Sequence, residues 1–185
     1  MEIKEAVFTV LSEMKDCMEK LDTQDIEEFA TDIVGAKRVF VAGAGRALLL
    51  LKCFAKRLSH AEISVHVIGE TTTPPIVSGD LLIVASCSGK TVTPFAIAGK
   101  AKEIGAKLWG ITACADSPIT KYCDRILVVP GSGYKQNSAK IVSVQPMNNL
   151  FEQVLHIALD IVSWLVQEAK GISNSHLCSR HANIE

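Results

Sequence analysis

Residues 86 to 91 read Ser-Cys-Ser-Gly-Lys-Thr. Ser86, Ser88 and Thr91 supply hydroxyl donors, Gly89 lets a ligand approach the backbone, and Lys90 adds a positive charge. Cys87 is the one apolar residue among them. Before this stretch, Leu81 to Ala85 is an unbroken apolar run behind Gly79-Asp80, the pattern of a strand buried on both faces. After it, Val92 to Ile104 has a helix-like pattern. A buried strand, a small polar loop and a helix start make an anion site, because unpaired N–H groups and the helix dipole face outward there. The loop therefore reads as a phosphate cradle. Its hydroxyls also suit plain helix capping. A nucleotide-binding P-loop needs glycine five residues before Gly89, where Val84 stands.

A second turn has similar chemistry. Lys37 to Ala42 reads as a strand and leads into Gly43-Ala44-Gly45-Arg46, followed by a helix from about Ala47 to His60. The third glycine of a dinucleotide fingerprint is replaced by Leu48, so a dinucleotide is disfavoured. Gly45 and Arg46 still suit a smaller anion, and equally a tight turn carrying a surface arginine. Residues 130 to 144 form a long loop rich in Gly, Ser, Asn and Lys.

These turns must be held by a scaffold. Strands are expected at 37–42, 63–68, 81–85, 107–112 and 125–129, alternating with helices. That alternation predicts an α/β fold with a five-stranded, parallel, doubly wound sheet in three α/β/α layers. All three loops then fall at the carboxyl edge, where such sheets bind ligands. Two helices precede the sheet core within residues 1–35. The first carries an apolar stripe of Ile3, Val7, Val10, Met14, Cys17 and Leu21. Pro146 suits the first turn of a long helix running to about Lys170. Its polar residues Asn149, Glu152, Gln153, His156, Asp160, Ser163 and Gln167 form one narrow stripe, so it should be covered on several sides. A homo-oligomer using this helix, and the first one, is expected. Residues 171–185 read as a frayed tail. His176, Cys178 and His181 lack a fourth partner at zinc spacing, so no metal is expected.

The 185 residues suffice for one domain, and 48% of them are apolar. The net charge of −1, with charges scattered, argues against nucleic acid as partner. No uninterrupted apolar run reaches membrane-spanning length, and Met1-Glu2-Ile3-Lys4 does not begin a signal peptide. Six cysteines without a Cys-x-x-Cys pair fit a reducing, cytoplasmic setting.

The loop at 86–91 resembles the phosphate loop of the sugar isomerase (SIS) domain family. Further segments resemble its 6-phospho-3-hexuloisomerase branch. They are Val41 to Arg46, Val67 to Glu70 with Pro74-Pro75, Gln145-Pro146-Met147 with Leu150 to Gln153, and His181 to Glu185. The resemblance spans the whole chain and implies a single SIS domain over residues 1–185, usually tetrameric and without cofactor. It implies interconversion of D-arabino-3-hexulose 6-phosphate and fructose 6-phosphate in the ribulose monophosphate route. By resemblance, Ser86, Ser88 and Thr91 hold the phosphate, Gly45 and Arg46 line the sugar site, and Glu152 is the base. His60 and His181 match histidines that assist from the same or a neighbouring subunit. Read without the resemblance, Glu152 belongs to a polar helix stripe and His60 to a helix end.

The chain departs from the family at Ala47-Leu48, where Ser-Gly is usual, and at Cys87 and Lys90, where Gly and Glu are usual. A different sugar phosphate, or a non-catalytic phosphosugar-binding module, are therefore the alternative readings.

Overall fold

The computed structural model describes residues 2–131 and 143–184. Two helices come first, α1 (Ile3–Met18) and α2 (Thr23–Gly35). Strand β1 (Val39–Ala42) then leads to α3 (Gly45–His60) and β2 (Val65–Val67). Next come β3 (Leu81–Ala85), α4 (Val92–Ile104), β4 (Lys107–Thr112), a 3-10 turn (Pro118–Tyr122) and β5 (Arg125–Val128). The chain ends in α5 (Asn149–Ala169) and α6 (Asn174–Ser179).

The five strands are parallel in the order β2-β1-β3-β4-β5. Successive side chains of a strand point to opposite faces. In β3, Leu81, Ile83 and Ala85 join the core under α1, α2, α3 and α5. Leu82 and Val84 join a second core under α4 and the 3-10 turn. Burial on both faces is why that strand is apolar without interruption. The result is the three-layer α/β/α arrangement expected from the alternation of elements.

Helix α5 is the middle of its layer. Phe151, Val154, Leu155, Ala158, Leu159, Val162 and Val166 are buried, and it packs against α1, α2 and α3. By length and composition alone it could cross a membrane, but its apolar residues are those of a core helix. It begins at Asn149 rather than Pro146, because Met147 takes a left-handed backbone with φ of 58° and breaks the helical path. Within this chain the stripe of α1 is covered only in part. Cys17 is buried, and Met14, Met18 and Leu21 rest on the core. Ile3, Val7, Phe8 and Leu11 are exposed.

The tail is not frayed throughout. Residues 174–179 form α6, capped by the Ser173 hydroxyl and tied to the turn after α3 by His176 Nε2 at 3.0 Å from Glu62 Oε1.

Candidate active site

The strand order reverses between β1 and β3, whose ends lie in register at Ala42 and Val84. The loops after these strands diverge and leave a crevice at the carboxyl edge, the place where such sheets hold ligands. A cleft of about 70 Å³ lies there. Its walls are Ala44 and Ala47 from the first loop, Ser86, Cys87, Ser88 and Thr91 from the second, and Asn148, Phe151 and Glu152 from the start of α5.

The second loop places hydroxyls beside a helix start. The Ser86 hydroxyl donates to Thr91 Oγ1 at 3.1 Å, and the Ser88 hydroxyl accepts from the Lys90 amide at 3.2 Å. Thr91 is the N-cap of α4 but makes no side-chain hydrogen bond to that helix among the described residues. Pro94 has no amide hydrogen and the Phe95 amide donates to the Thr91 carbonyl at 3.1 Å, so Val92 and Thr93 supply the first-turn N–H groups that face this loop's end of α4. Lys90 is exposed and does not line the cleft. Gly89 has a different task from the one its type suggests. Its φ is 63°, and a Cβ there would lie 2.4 Å from Ser117 Oγ. The space is filled by the neighbouring loop, so glycine is required by packing and backbone rather than by ligand approach.

The first loop brings charge. Gly45 has φ of 56° and opens α3. Arg46 comes next, placing Nε 3.0 Å from Glu152 Oε2 and donating from Nη1 to Asn149 Oδ1 at 2.6 Å. Arg46 is largely exposed whereas the Glu152 side chain is only 12% exposed. Burial raises the Glu152 carboxyl above its ordinary value, and Arg46 pulls part of that back. A carboxylate less solvated than usual, aimed into a cleft beside hydroxyl donors, is equipped to remove a proton from carbon. The Cys87 thiol is pushed up to about 12, chiefly by burial and also by the Glu152 charge, so it stays neutral.

Glu152, Arg46 with Gly45 beside it, Ser86, Cys87, Ser88 and Thr91 are therefore brought together. His60 and His181 are placed elsewhere in the same chain. Their rings stand 5.6 Å apart, and with His156 and Asp160 they border a cavity of about 550 Å³ between α3 and α5. His156 and Asp160 lie one and two turns beyond Glu152 on α5, roughly 6 and 12 Å along the axis. Asn148, Asn149 and Phe151 join the site without having signalled chemistry in the sequence. The only sequence signal for the asparagines is their position at a helix start, a capping preference. Among the described residues no group of His, Cys, Asp or Glu could hold a metal. The expected loop at 130–144 falls largely outside the described residues. Its first residues pack on α5, where a Cβ on Gly131 would lie 3.1 Å from the Phe151 backbone.

The fold and the site define a member of the SIS domain family, which matches residues 32–157, and the chain belongs to that family. It is an enzyme of the isomerase class. It is 35% identical over 185 residues to the 3-hexulose-6-phosphate isomerase of Bacillus subtilis, covering 100% of both chains. It is 39% identical over 176 residues to the enzyme of that name from Mycobacterium gastri, covering 95% of this chain and 88% of the relative. A Methanococcus jannaschii crystal structure, described as inferring a molecular function of 3-hexulose-6-phosphate isomerase, superposes with a TM-score of 0.83 at 28% identity. That superposition covers 98% of this chain and 99% of the other.

Proposed function

We propose that this isomerase interconverts D-arabino-3-hexulose 6-phosphate and fructose 6-phosphate, with the whole chain acting as one SIS domain. The observation that carries the reading is a largely buried carboxylate, Glu152, lining one cleft with the hydroxyls at the start of α4. The phosphate is held by Ser86, Ser88, Thr91 and the amides of that helix start. Binding there is remote from the reacting carbons and positions them.

Glu152 takes the proton from C2 of the 3-ketose. The C2–H electron pair forms the C2–C3 double bond, and the carbonyl electrons move to O3 as an enediolate. Arg46 stands beside the base and supplies positive charge to that oxygen. Return of the proton to C3, with transfer of the O2 proton to O3, leaves the carbonyl at C2. No redox or metal step is needed for this balance. The chain is proposed to work in the cytoplasm as a homo-oligomer, with a tetramer as the expected form. The exposed Ile3, Val7, Phe8 and Leu11 on α1 and Trp164 on α5 support such contacts. In that assembly His60 and His181 serve a neighbouring subunit's site, as they border a separate cavity of their own chain.

The test is turnover of the hexulose phosphate, followed as fructose 6-phosphate formed, in wild type and Glu152→Gln. Loss confined to the variant supports both substrate and base. No turnover by the wild type, with a sugar phosphate still raising the melting temperature, points instead to a different sugar phosphate.

A further inference from the structure

Glu13 lies on α1, outside the cleft. Its carboxylate nevertheless gathers the backbone that leads into α5. Oε1 accepts from the Val144 amide at 2.8 Å. Oε2 accepts from the Ser143 hydroxyl at 2.6 Å and from Gln145 Nε2 at 2.9 Å. The Gln145 amide in turn donates to Ser143 Oγ at 3.0 Å, which locks the donors to one another. Burial pushes this carboxyl up, but the three donors outweigh it and hold the group below the ordinary carboxylate range. The ionised form is the one that the segment recognises.

Beyond that anchor the chain is strained and leads straight to the cleft. Met147 has φ of 58°, a conformation a side-chain-bearing residue seldom adopts without surrounding constraint. The Asn149 amide donates to the Pro146 carbonyl at 3.2 Å, and the Glu152 amide to the Asn148 carbonyl at 3.0 Å. Asn148 and Glu152 line the cleft. The strained turn thus has the Glu13 clamp on one side and the first turn of α5 on the other.

We propose that Glu13 is a positioning residue of the active site, clamping residues 143–145 so that the Met147 turn presents Asn148 and Glu152 to the cleft. The functional half of this inference rests on the isomerase reading above. While residue 145 is a glutamine donor, a carboxylate is required at 13 rather than any polar group, because three converging donors need an acceptor with two oxygens and no hydrogen. A hydrogen-bond deletion at the clamp lets the turn relax. A base displaced by a fraction of an ångström loses rate in the chemical step more than it loses substrate affinity.

The test uses the full chain and the variants Glu13→Ala and Glu13→Gln with Gln145→Glu. The double variant exchanges donor and acceptor across the clamp. In Glu13→Ala, amide exchange at residues 144–152 is expected to be at least about tenfold faster, with the β3 and β4 amides unchanged. Its kcat for the hexulose phosphate is expected to fall on the order of tenfold with KM within about twofold. The double variant is expected to recover most of both losses, which a general loss of stability would not allow. Unchanged exchange at 149–152 in Glu13→Ala overturns the inference, and so does faster exchange with an unaltered kcat. Wild type inactive on this sugar overturns the isomerase reading, and the exchange data then decide the clamp by themselves.

Discussion

Arg46 Nε stands 3.0 Å from Glu152 Oε2, a contact that joins the turn after β1 to the first turn of α5. The two residues are opposite in exposure. Glu152 gives up solvent and gains one cation, whereas Arg46 remains largely in water. For the base proposed above this is a useful balance. A fully hydrated carboxylate is a weak base, and a buried one without a cation stays protonated. Removing the charge tests the role directly. Glu152→Gln should lower kcat by about a thousandfold, within the range for loss of a general base. Its melting temperature should not fall, because Gln carries no buried charge. Retained turnover in Glu152→Gln would remove this residue from the chemistry.

The same pair sets a pH dependence. As the proposed base, Glu152 must be ionised to accept a proton, so kcat/KM is expected to rise with pH through its pKa. Burial raises that pKa above the ordinary 4.5, with Arg46 opposing. The acid limb should therefore lie on the alkaline side of an ordinary carboxylate's. Arg46→Ala removes the opposing charge and should move the limb further to higher pH. Arg46→Lys, which keeps the charge but not the planar fork, should move it less. A limb that shifts to lower pH in Arg46→Ala contradicts the assignment. The profile is measured with saturating and limiting sugar phosphate.

Gly89 is fixed by packing. Its φ of 63° and the 2.4 Å separation between an added Cβ and Ser117 Oγ act together. Gly89→Ala should cost about 2–4 kcal/mol from left-handed strain plus overpacking. Adding Ser117→Gly relieves the clash but not the backbone strain, so about half should return. Denaturant unfolding of the single and double variants measures both parts. Full recovery in the double variant would assign the cost to the clash alone.

Much of this arrangement is legible in the sequence, for identifiable reasons. β3 is buried on both faces, so its apolar run marks both its ends, and the polar loop behind it stands out by contrast. β4 begins and ends at the expected residues 107 and 112. Other features depend on distant contacts. Arg46 meets Asn149 across 103 positions, and no periodicity reports such a meeting. The Gly89–Ser117 contact is equally hidden from any local pattern. Helix α5 starts later than Pro146 suggests because a left-handed Met147 has no sequence signature comparable to that of glycine. His60 and His181, grouped with Glu152 by resemblance, border a cavity apart from the cleft, a placement no local pattern reports.

Asp80, at the foot of β3, sets an acid limit on stability. It is 3% exposed, accepts from Arg38 Nε at 3.0 Å and from the Val77 amide at 2.8 Å, and forms a second bond to the same guanidinium. Burial raises its pKa, but Arg38 and the Val77 amide outweigh that and hold it below 3.8. A folded-state pKa below the unfolded one gives stability that is complete above the unfolded value and lost as pH falls through the folded one. Asp80→Asn should therefore destabilise at pH 7 and converge on wild type at strongly acid pH. Chemical denaturation across pH 2 to 7, an interval set to span the ordinary carboxylate pKa of about 3.9, measures this. A constant difference across that interval would show that the charge contributes nothing.

The thiols should separate by environment. Burial pushes Cys87 up to about 12 and Cys17 and Cys123 up to about 11, whereas Cys53 and Cys178 are exposed. Only the thiolate reacts, and at pH 8 a pKa of about 12 leaves about a thousandfold less of it than the ordinary 9.0. Cys87 comes directly after Ser86 in the loop before α4, where a helix start could have lowered its pKa. Burial and the Glu152 charge prevail instead. Alkylation of the folded protein at pH 8, mapped by mass spectrometry, should modify Cys53 and Cys178 first. Cys17, Cys87 and Cys123 should react only after unfolding. Early labelling of Cys87 would mean that the loop supplies enough positive potential to ionise it, a potential that would also favour the phosphate proposed at Ser86 to Thr91.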